Sequence, residues 1–412
     1  MRRLSLFLLG LILAVLLTPG VHAQPTTDLS ARLYPDTDLV IRRADGGIDL
    51  LDAQFNLIYR SDFDPPTVSP IRLSQTAVYF RPLAADPSVM VALSRSGELR
   101  EITIPSLEND GQTFPLDMLP TADGRRLAWL FSVSTDVRFD TPGAQNAEEC
   151  GRGFSCADRD YTLVLTDGNG QNPETVWETR LEDRNGGVYY LLNRWTVNHE
   201  SIILTLFNSI PSQYYPTEAN QLLELSLSDN ELHELPGGGD GIVTRSTDDG
   251  WIAWNYPASN AWVRVESFNR QADSITVYED PRGEIFQAVG ELTFSPDSAR
   301  LIYPALEEHP TSFQVFESGG VRSIDLSNGT ITTAHEFEAP LYTDCLPLLG
   351  PWLSESVIVV QHNMEQYALA VDTGDTFPLD FLGDDRIEGV ITPVFNDTSH
   401  DVQVCDFVES VG

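Results

Sequence analysis

The chain has few basic residues, and after its N-terminus it lacks the long apolar runs that cross membranes. Its 412 residues include 25 Lys and Arg against 61 Asp and Glu, which gives a formal net charge of −36 at pH 7. Binding to a phosphate backbone needs clustered Lys and Arg, so this balance argues against a nucleic-acid partner. The absence of a later apolar run of about 20 residues predicts no membrane span beyond the N-terminal region.

The sequence also lacks the spacings that mark several kinds of active site. It contains no Gly-x-Ser-x-Gly elbow of a serine hydrolase. Its seven histidines are scattered, with no His-x-x-x-His or Cys-x-x-Cys pair, so we predict no metal and no cofactor. Asp167-Gly168-Asn169-Gly170 resembles part of a calcium loop, but an ordinary hairpin turn is the better interpretation.

The N-terminus has the three parts of a secretory signal peptide. Arg2 and Arg3 precede an apolar run over residues 4–17, and small residues before Gln24 form a cleavage site. This run is short for a membrane span, so cleavage after residue 23 is favoured over a retained anchor. We expect a secreted or periplasmic protein whose mature chain, 24–412, loses two arginines and no acid and carries a net charge of −38.

Export permits disulfide bonds, and the chain has four cysteines. Cys150 and Cys156 are close enough in sequence to close a small local loop, which the chain-entropy model values at roughly 2 kcal/mol. Cys345 and Cys405 would close a loop of about 60 residues, worth roughly 4 kcal/mol in the same model. This pairing is the preferred one, and the two other pairings of the four residues stay open.

One short stretch contains the unit from which the chain is built. Residues 292–305, LTFSPDSARLIYPA, alternate at Leu292 and Phe294, turn at Ser295-Pro296-Asp297-Ser298, and return through an apolar, aromatic run. Proline fixes the backbone in the turn, and the Ser and Asp side chains can bond nearby N–H groups. The stretch therefore predicts a β-hairpin, which needs further hairpins to cover its faces.

Similar turns recur along the chain at intervals of mostly 39 to 58 residues, near Asp36, Gln75, Asp123, Asn198, Asp249, Asp297, Glu355 and Asp397. Repeats of this period, each with about four short strands, predict an all-β fold, a β-propeller of four-stranded antiparallel blades. The last copy stops early and the first lacks an innermost strand. We therefore predict seven blades, with N- and C-terminal strands sharing one; eight blades would result if the two partial copies stayed separate.

The turn sequences carry a resemblance to a known family. Thr121-Ala122-Asp123-Gly124 and Ser295-Pro296-Asp297-Ser298, each followed by a short apolar strand, match the Ser-Pro-Asp-Gly signature of TolB-type, WD-repeat-like bacterial propellers. Asp248-Asp249-Gly250 matches one residue short, and Thr196-Val197-Asn198-His199 matches more loosely. The resemblance covers essentially the whole mature chain as a single propeller domain. It implies binding of proteins or peptides, since such propellers mostly do this, although some form lids on peptidases.

Long insertions indicate where a ligand would bind. Residues 132–160, 208–220 and 305–320 each separate the second strand of a copy from its third, so all three emerge on one face of a propeller. Aromatic residues in or beside the loops could contact a partner; they are Tyr214, Tyr215, Tyr256 and Trp262. We also expect charged residues before the innermost strands, around the channel mouth on that face: Asp117, Arg194, Arg245, Glu291, Asp344 and Glu388.

Two functions are compatible with this arrangement, and a purely structural role in the cell envelope is a third possibility. The favoured hypothesis is an exported, monomeric, non-enzymatic propeller that binds a protein, peptide or polar ligand on the loop-rich face. The alternative is a carbohydrate-active hydrolase that uses two carboxylates at the channel mouth, a chemistry that depends on their separation. Because sequence does not give that separation, no catalytic residue is predicted.

Overall fold

The structure is a computed structural model that describes most of the chain. The described residues are 29–61, 71–82, 86, 88–107, 115–139, 155–182, 188–208, 219–236, 243–255, 263–268, 276–280, 286–308, 316–337, 347–362 and 365–393. They form 29 β-strands and include a 3₁₀ turn at Asp380–Leu382. Over these ranges, no helix has the length and apolar character needed to cross a membrane.

The strands form seven antiparallel sheets, which we number as blades 1 to 7. Blade 1 contains β1 (Asp38–Arg42), β2 (Ile48–Asp52), β3 (Leu57–Arg60) and β29 (Arg386–Ile391). Blade 2 contains β4 (Arg72–Leu73), β5 (Ala77–Phe80), β6 (Val89–Ser94) and β7 (Leu99–Thr103). Blade 3 contains β8 (Pro115–Pro120), β9 (Arg126–Phe139), β10 (Ser155–Asp167) and β11 (Glu174–Leu181). Blade 4 contains β12 (Val188–Trp195), β13 (Ser201–Asn208), β14 (Ala219–Ser226) and β15 (Leu232–Glu234).

The remaining blades follow the same order from the inner to the outer strand. Blade 5 contains β16 (Val243–Arg245), β17 (Trp251–Asn255), β18 (Val263–Ser267) and β19 (Val277–Glu279). Blade 6 has a divided inner strand and contains β20 (Phe286–Val289), β21 (Thr293–Phe294), β22 (Arg300–Glu308), β23 (Phe316–Asp325) and β24 (Ile331–Phe337). Blade 7 contains β25 (Leu348–Trp352), β26 (Val357–His362), β27 (Glu365–Ala370) and β28 (Thr376–Pro378).

Blade 1 joins the two ends of the described chain. Its inner strand, β29, pairs with β1 in an antiparallel register that places Asp38 opposite Ile391 and Arg42 opposite Arg386. The prediction of seven blades, with N- and C-terminal strands sharing one, is confirmed. The C-terminal side supplies this one strand to the sheet, and the later part of the predicted last copy, residues 394–407, lies outside the described residues.

The repeated turn is held by the same hydrogen bonds in four blades. In blade 6 the Ser295 hydroxyl donates to Asp297 Oδ1 at 2.6 Å and accepts the Arg300 N–H at 3.0 Å. Asp297 Oδ1 also accepts the Ala299 N–H at 3.1 Å. The equivalent pairs in blades 3, 4 and 5 are Thr121 with Asp123, Thr196 with Asn198, and Ser246 with Asp248. A hydroxyl residue followed two positions later by Asp or Asn thus specifies the turn.

These bonds correct the alignment of the blade 5 turn. The motif there is Ser246-Thr247-Asp248-Asp249, in full register, whereas Asp248-Asp249-Gly250 was predicted to match one residue short. Asp249 occupies the glycine position of the signature and has φ 62°, close to the 66° of Gly124. Asn and Asp tolerate this left-handed conformation better than most residues, which hides the motif from a search for glycine.

Replacing Asp297 by alanine is expected to lower the free energy of unfolding by about 1 kcal/mol, because the Ser295 hydroxyl and the Ala299 N–H lose their shared acceptor. Asp297→Asn is the matched control, since Asn198 performs the same role in blade 4. Urea titration of the three proteins measures the difference. Equal losses in both variants would contradict the assigned turn chemistry.

Apolar side chains fill the spaces between neighbouring blades. Leu130 and Tyr161 of blade 3 belong to one buried cluster with Ile202 and Leu204 of blade 4. Their alternation along the strands places every second residue on the same side of each sheet, facing the neighbouring blade. Burying each large side chain contributes roughly 1.5–3 kcal/mol, so the blade interfaces form the core.

The segment before β1 completes the interface between blades 7 and 1. Leu29 and Leu33 are 1% and 6% exposed and pack with Leu353 and Val357 of blade 7. Arg32 Nη2 donates to the Asp375 carboxylate at 2.8 Å. This segment therefore attaches the beginning of the described chain to the last complete blade.

Candidate functional site

The strand directions define two faces of the ring. We call the face with the connections between second and third strands the loop face, and the face with the first-to-second turns the turn face. All three predicted insertions connect second to third strands, namely β9 to β10, β13 to β14 and β22 to β23. They are shorter than predicted, because residues 132–139 and 155–160 extend the strands of blade 3 and residues 305–308 and 316–320 those of blade 6.

Several predicted site residues lie outside the described part of the chain. They are Asp344, Tyr214, Tyr215, Tyr256 and Trp262. The same is true of Cys150, Cys345 and Cys405, while the backbone of Cys156 lies in β10 opposite Arg138. Ligand contact by the aromatic residues and both disulfide bonds therefore stay predictions.

Asp117 lies inside the ring, where it joins three blades. Its side chain is 0% exposed and accepts two hydrogen bonds from Arg72 Nη2 of blade 2, at 2.9 and 2.7 Å, and one from Arg72 Nε at 3.1 Å. Asp117 Oδ2 also accepts the Leu192 N–H of blade 4 at 2.9 Å, and Arg72 Nη2 donates to the Leu192 carbonyl at 3.2 Å. The ion pair thus provides an acceptor and a donor for the backbone of Leu192 at the inner edge of β12. Burial raises the pKa of Asp117, and Arg72 with two N–H donors opposes this shift.

Arg194 lies at the opposite end of its strand from the predicted place. It is the penultimate residue of β12, so it lies beside the turn face, whereas a position before an inner strand on the loop face was predicted. The strand begins earlier than the turn spacing indicated because Tyr190, Leu192 and Trp195 continue its buried face, with a bulge between Leu192 and Arg194. Arg194 Nη2 donates to the Ser246 carbonyl at 2.6 Å and to Asp249 Oδ1.

Arg245 is also placed beside the turn face, as the last residue of β16. Its side chain is 6% exposed, lies over the Phe268 ring at 4.5 Å, and donates to Glu224 Oε2 at 3.2 Å. Arg245 Nε lies 3.2 Å from Asp249 Oδ1, so the two arginines share this carboxylate. Arg194 and Arg245 thus join blades 4 and 5, and burial lowers the pKa of Arg194 without removing its charge at neutral pH.

The two remaining described residues of the predicted set lie apart from these arginines. Glu388 is the third residue of β29, and its carboxylate lies 3.1 Å from Arg42 Nε of β1. Glu291 lies between the two pieces of the inner strand of blade 6 and is partly buried. The six charges therefore do not form one cluster among the residues described, and Asp117, Arg194, Arg245 and Glu388 have ion-pair partners.

A buried charged group between blades 5 and 6 was missed by the sequence reasoning. Asp280 follows β19, and its Oδ2 accepts the Tyr303 hydroxyl and Arg322 Nε, the latter at 2.8 Å. The Asp280 side chain is 0% exposed and that of Arg322 is 7% exposed. Burial and the Asp280 charge raise the pKa of Tyr303 well above its ordinary value, so the phenol stays protonated and donates. The only sequence signal is an acid directly after an outer strand, which does not identify partners in another blade.

The Asp167-Gly168-Asn169-Gly170 segment is the hairpin turn between β10 and β11. Asp167 Oδ1 accepts the Asn169 and Gln171 N–H groups at 2.9 and 3.0 Å. The hairpin interpretation is confirmed, since the carboxylate is directed at backbone N–H groups of its own turn. Among the described residues, no group of three or more His, Cys, Asp or Glu side chains could hold a metal ion.

Neither protein-family models nor the sequences of characterised proteins match this chain. Solved structures do match its fold. A protein described as a TolB from Agrobacterium tumefaciens is 11% identical, with 74% of this chain and 90% of that chain covered and a TM-score of 0.36. The β-propeller domain of the Trilobed protease from Pyrococcus furiosus is 11% identical, with 83% and 93% covered and a TM-score of 0.45. Pyrococcus horikoshii acylaminoacyl peptidase is 11% identical over 81% of this chain but 47% of that chain, with a TM-score of 0.45. Each likeness concerns the propeller fold alone.

Proposed function

We propose that the chain is an exported, non-enzymatic propeller that binds a protein or peptide on its loop face. The main support for this proposal is that four of the charged residues predicted around the channel mouth are held in ion pairs. Asp117, Arg194, Arg245 and Glu388 each have ion-pair partners within the protein, and most of these pairs join neighbouring blades. Charges used in this way support a rigid ring that presents its connecting segments to a partner.

The same pairs weigh against the hydrolase hypothesis. A glycosidase needs two carboxyl groups that face each other across an open space, about 5–10 Å apart. The Asp117 carboxylate is enclosed by Arg72 and the backbone of Leu192, and that of Glu388, 14% exposed, lies against Arg42. Both groups therefore have structural partners in place of a substrate.

Export, a single domain and a monomeric state complete the proposal. The signal sequence over residues 1–23 would direct the chain out of the cytoplasm, and residues 24–412 would form one propeller. A net charge of −38 after cleavage would keep the monomer soluble through mutual repulsion.

The experiment compares three forms of the mature chain, immobilised and exposed to the extracytoplasmic fraction of the source cells. The first is the wild type. In the second, residues 134–159 are replaced by Asn-Gly, which closes the β9–β10 hairpin after the Val133–Asp160 pair. The third carries Val197→Ser on the turn face, where Val197 is 57% exposed.

We expect the wild type and the Val197→Ser variant to retain a partner protein and the shortened form not to retain it. Retention by all three forms would overturn the assignment to this part of the loop face. Hydrolysis of a nitrophenyl glycoside panel by the wild type, lost on Glu388→Gln, would overturn the non-enzymatic proposal.

A further inference from the structure

The hairpin formed by β9 and β10 continues past the inner strand of its blade, whereas the outer strand β11 pairs with β10 as far as Arg159, opposite Ser134. The two strands pair from Arg126 opposite Asp167 as far as Phe139 opposite Ser155. The inner strand β8, however, pairs with β9 only as far as Phe131. The eight residues of β9 beyond that point extend roughly 27 Å at 3.4 Å per residue, on the side of the loop face.

The direction of the backbone groups along β9 follows from the turn that precedes it. The Thr121 N–H donates to the Arg126 carbonyl at 2.9 Å, so the backbone groups of Arg126 are directed at β8. The backbone N–H and C=O groups of successive residues point to alternate sides of a strand. Those of residues 128, 130, 132 and 134 therefore point inward, toward the side of β8. The bonds of β10 support this assignment. Asp167 lies opposite Arg126, and its N–H donates to the Gln171 carbonyl, on the side away from β9.

Ser132 and Ser134 thus direct their N–H and C=O groups to the inner edge beyond the last β8 pairing. Neither serine has a backbone partner on that edge within the described ranges. Ser134 is exposed. An edge of this kind is a template for another strand, and proteins normally protect it with charge, proline or a bulge.

The sequence at this edge has none of these protections. Residues 132–135 are Ser, Val, Ser and Thr, which are uncharged and include two β-branched residues that favour extended backbone. The first charged residues beyond them are Asp136 and Arg138. The inner edge of β9 over residues 132–135 is therefore suited to pair with an added strand.

We propose that the inner edge of β9 at Ser132 and Ser134 binds an extended, basic segment of a partner protein by strand addition. This inference rests on the proposed function and names the class of partner for the same face. A second copy of the chain is disfavoured as the occupant, because both mature copies would carry a net charge of −38. Basic residues in a peptide would instead be attracted by that charge, while main-chain bonds supply the register.

The test uses a synthetic heptapeptide that carries a fluorophore at its N-terminus, fluoresceinyl-Lys-Val-Thr-Val-Thr-Val-Lys-amide, and the mature chain. Ser134→Pro removes the inward N–H and leaves the N–H groups that bond to β10 in place, whereas Ser134→Ala keeps the inward N–H. Losing one backbone hydrogen bond weakens binding roughly 2- to 12-fold. We expect a loss of this size or more in the proline variant and less than about twofold in the alanine variant, measured by fluorescence anisotropy.

Amide hydrogen exchange gives a second readout that does not depend on a folded variant. The peptide should slow exchange at Ser132 and Ser134 and leave Val133, already bonded to β10, unchanged. Equal affinity of both variants, no binding of the peptide, or protection of Ser134 in the free chain would each overturn strand addition. Dimers lost in Ser134→Pro would assign the edge to a second copy instead. Loss of partner retention on shortening the hairpin, with no peptide effect, would leave the broader function standing.

Discussion

Replacing Asp117 by alanine is expected to lower the free energy of unfolding by about 3–5 kcal/mol. The change leaves Arg72, with a side chain 12% exposed, without its carboxylate partner, and it leaves the Leu192 N–H without an acceptor. A buried charge without a partner is one of the few causes of losses this large. Since native proteins are typically stable by about 5–15 kcal/mol, a urea titration should detect a loss of this size.

A double variant separates the cost of an unpaired charge from the value of the pair itself. Arg72→Met with Asp117→Leu removes both charges and keeps apolar volume, so it should be more stable than Asp117→Ala by about 3 kcal/mol or more, the cost of leaving one charge of a buried pair behind. The Asp297→Ala variant, at an exposed turn, serves as a mild reference. An Asp117→Ala protein within about 0.5 kcal/mol of the wild type would contradict the assigned role, because surface substitutions normally lie in that range.

Replacing Asp280 by alanine is the second large effect that we expect, again about 3–5 kcal/mol. The variant removes the Asp280 carboxylate from the buried Arg322 and removes the acceptor of the Tyr303 hydroxyl. Blades 5 and 6 would lose one of the polar contacts between them, while those of Thr247 and Asn255 remain, so amide exchange should accelerate first in β19 and β22. Exchange followed by mass spectrometry locates this opening.

Tyr303→Phe provides the matched control for Asp280. It keeps the ring, which is 0% exposed, and removes the hydroxyl, so only one hydrogen bond to Asp280 is lost. The expected cost is about 1 kcal/mol, well below that of Asp280→Ala. If the two variants lost equal stability, the hydroxyl rather than the Arg322 ion pair would dominate the cluster.

The propeller could be predicted from sequence because its unit is local. The turn at Ser295 and Asp297 is specified by residues two to five positions apart, and the strands beside it alternate in the usual way. Ring closure followed from counting strands at the two ends. The blade 5 turn was misaligned because an aspartate, Asp249, holds the conformation that glycine holds elsewhere.

The charged groups could not be predicted in the same way, because their partners lie in other blades. Arg72 and Asp117 are 45 positions apart, and Asp280 and Arg322 are 42 apart. The spacing of the turns also led to the wrong position for Arg194, which lies near the end of β12 and not before its start. The spacing shows where a turn lies but not where the preceding strand begins. Pairing across blades depends on the radial packing of whole sheets, which sequence patterns within one repeat do not contain.

The pairing of β29 with β1 also sets the order in which the molecule can be completed. Strand β1, near position 40, cannot pair with β29 until residues near position 390 have been synthesised. The first sheet to be synthesised is therefore the last to be completed. Such distant contacts slow folding because a very long loop must close first. For a chain threaded through an export channel N-terminus first, β1 would emerge with an open edge and need protection from aggregation until nearly all of the chain had crossed.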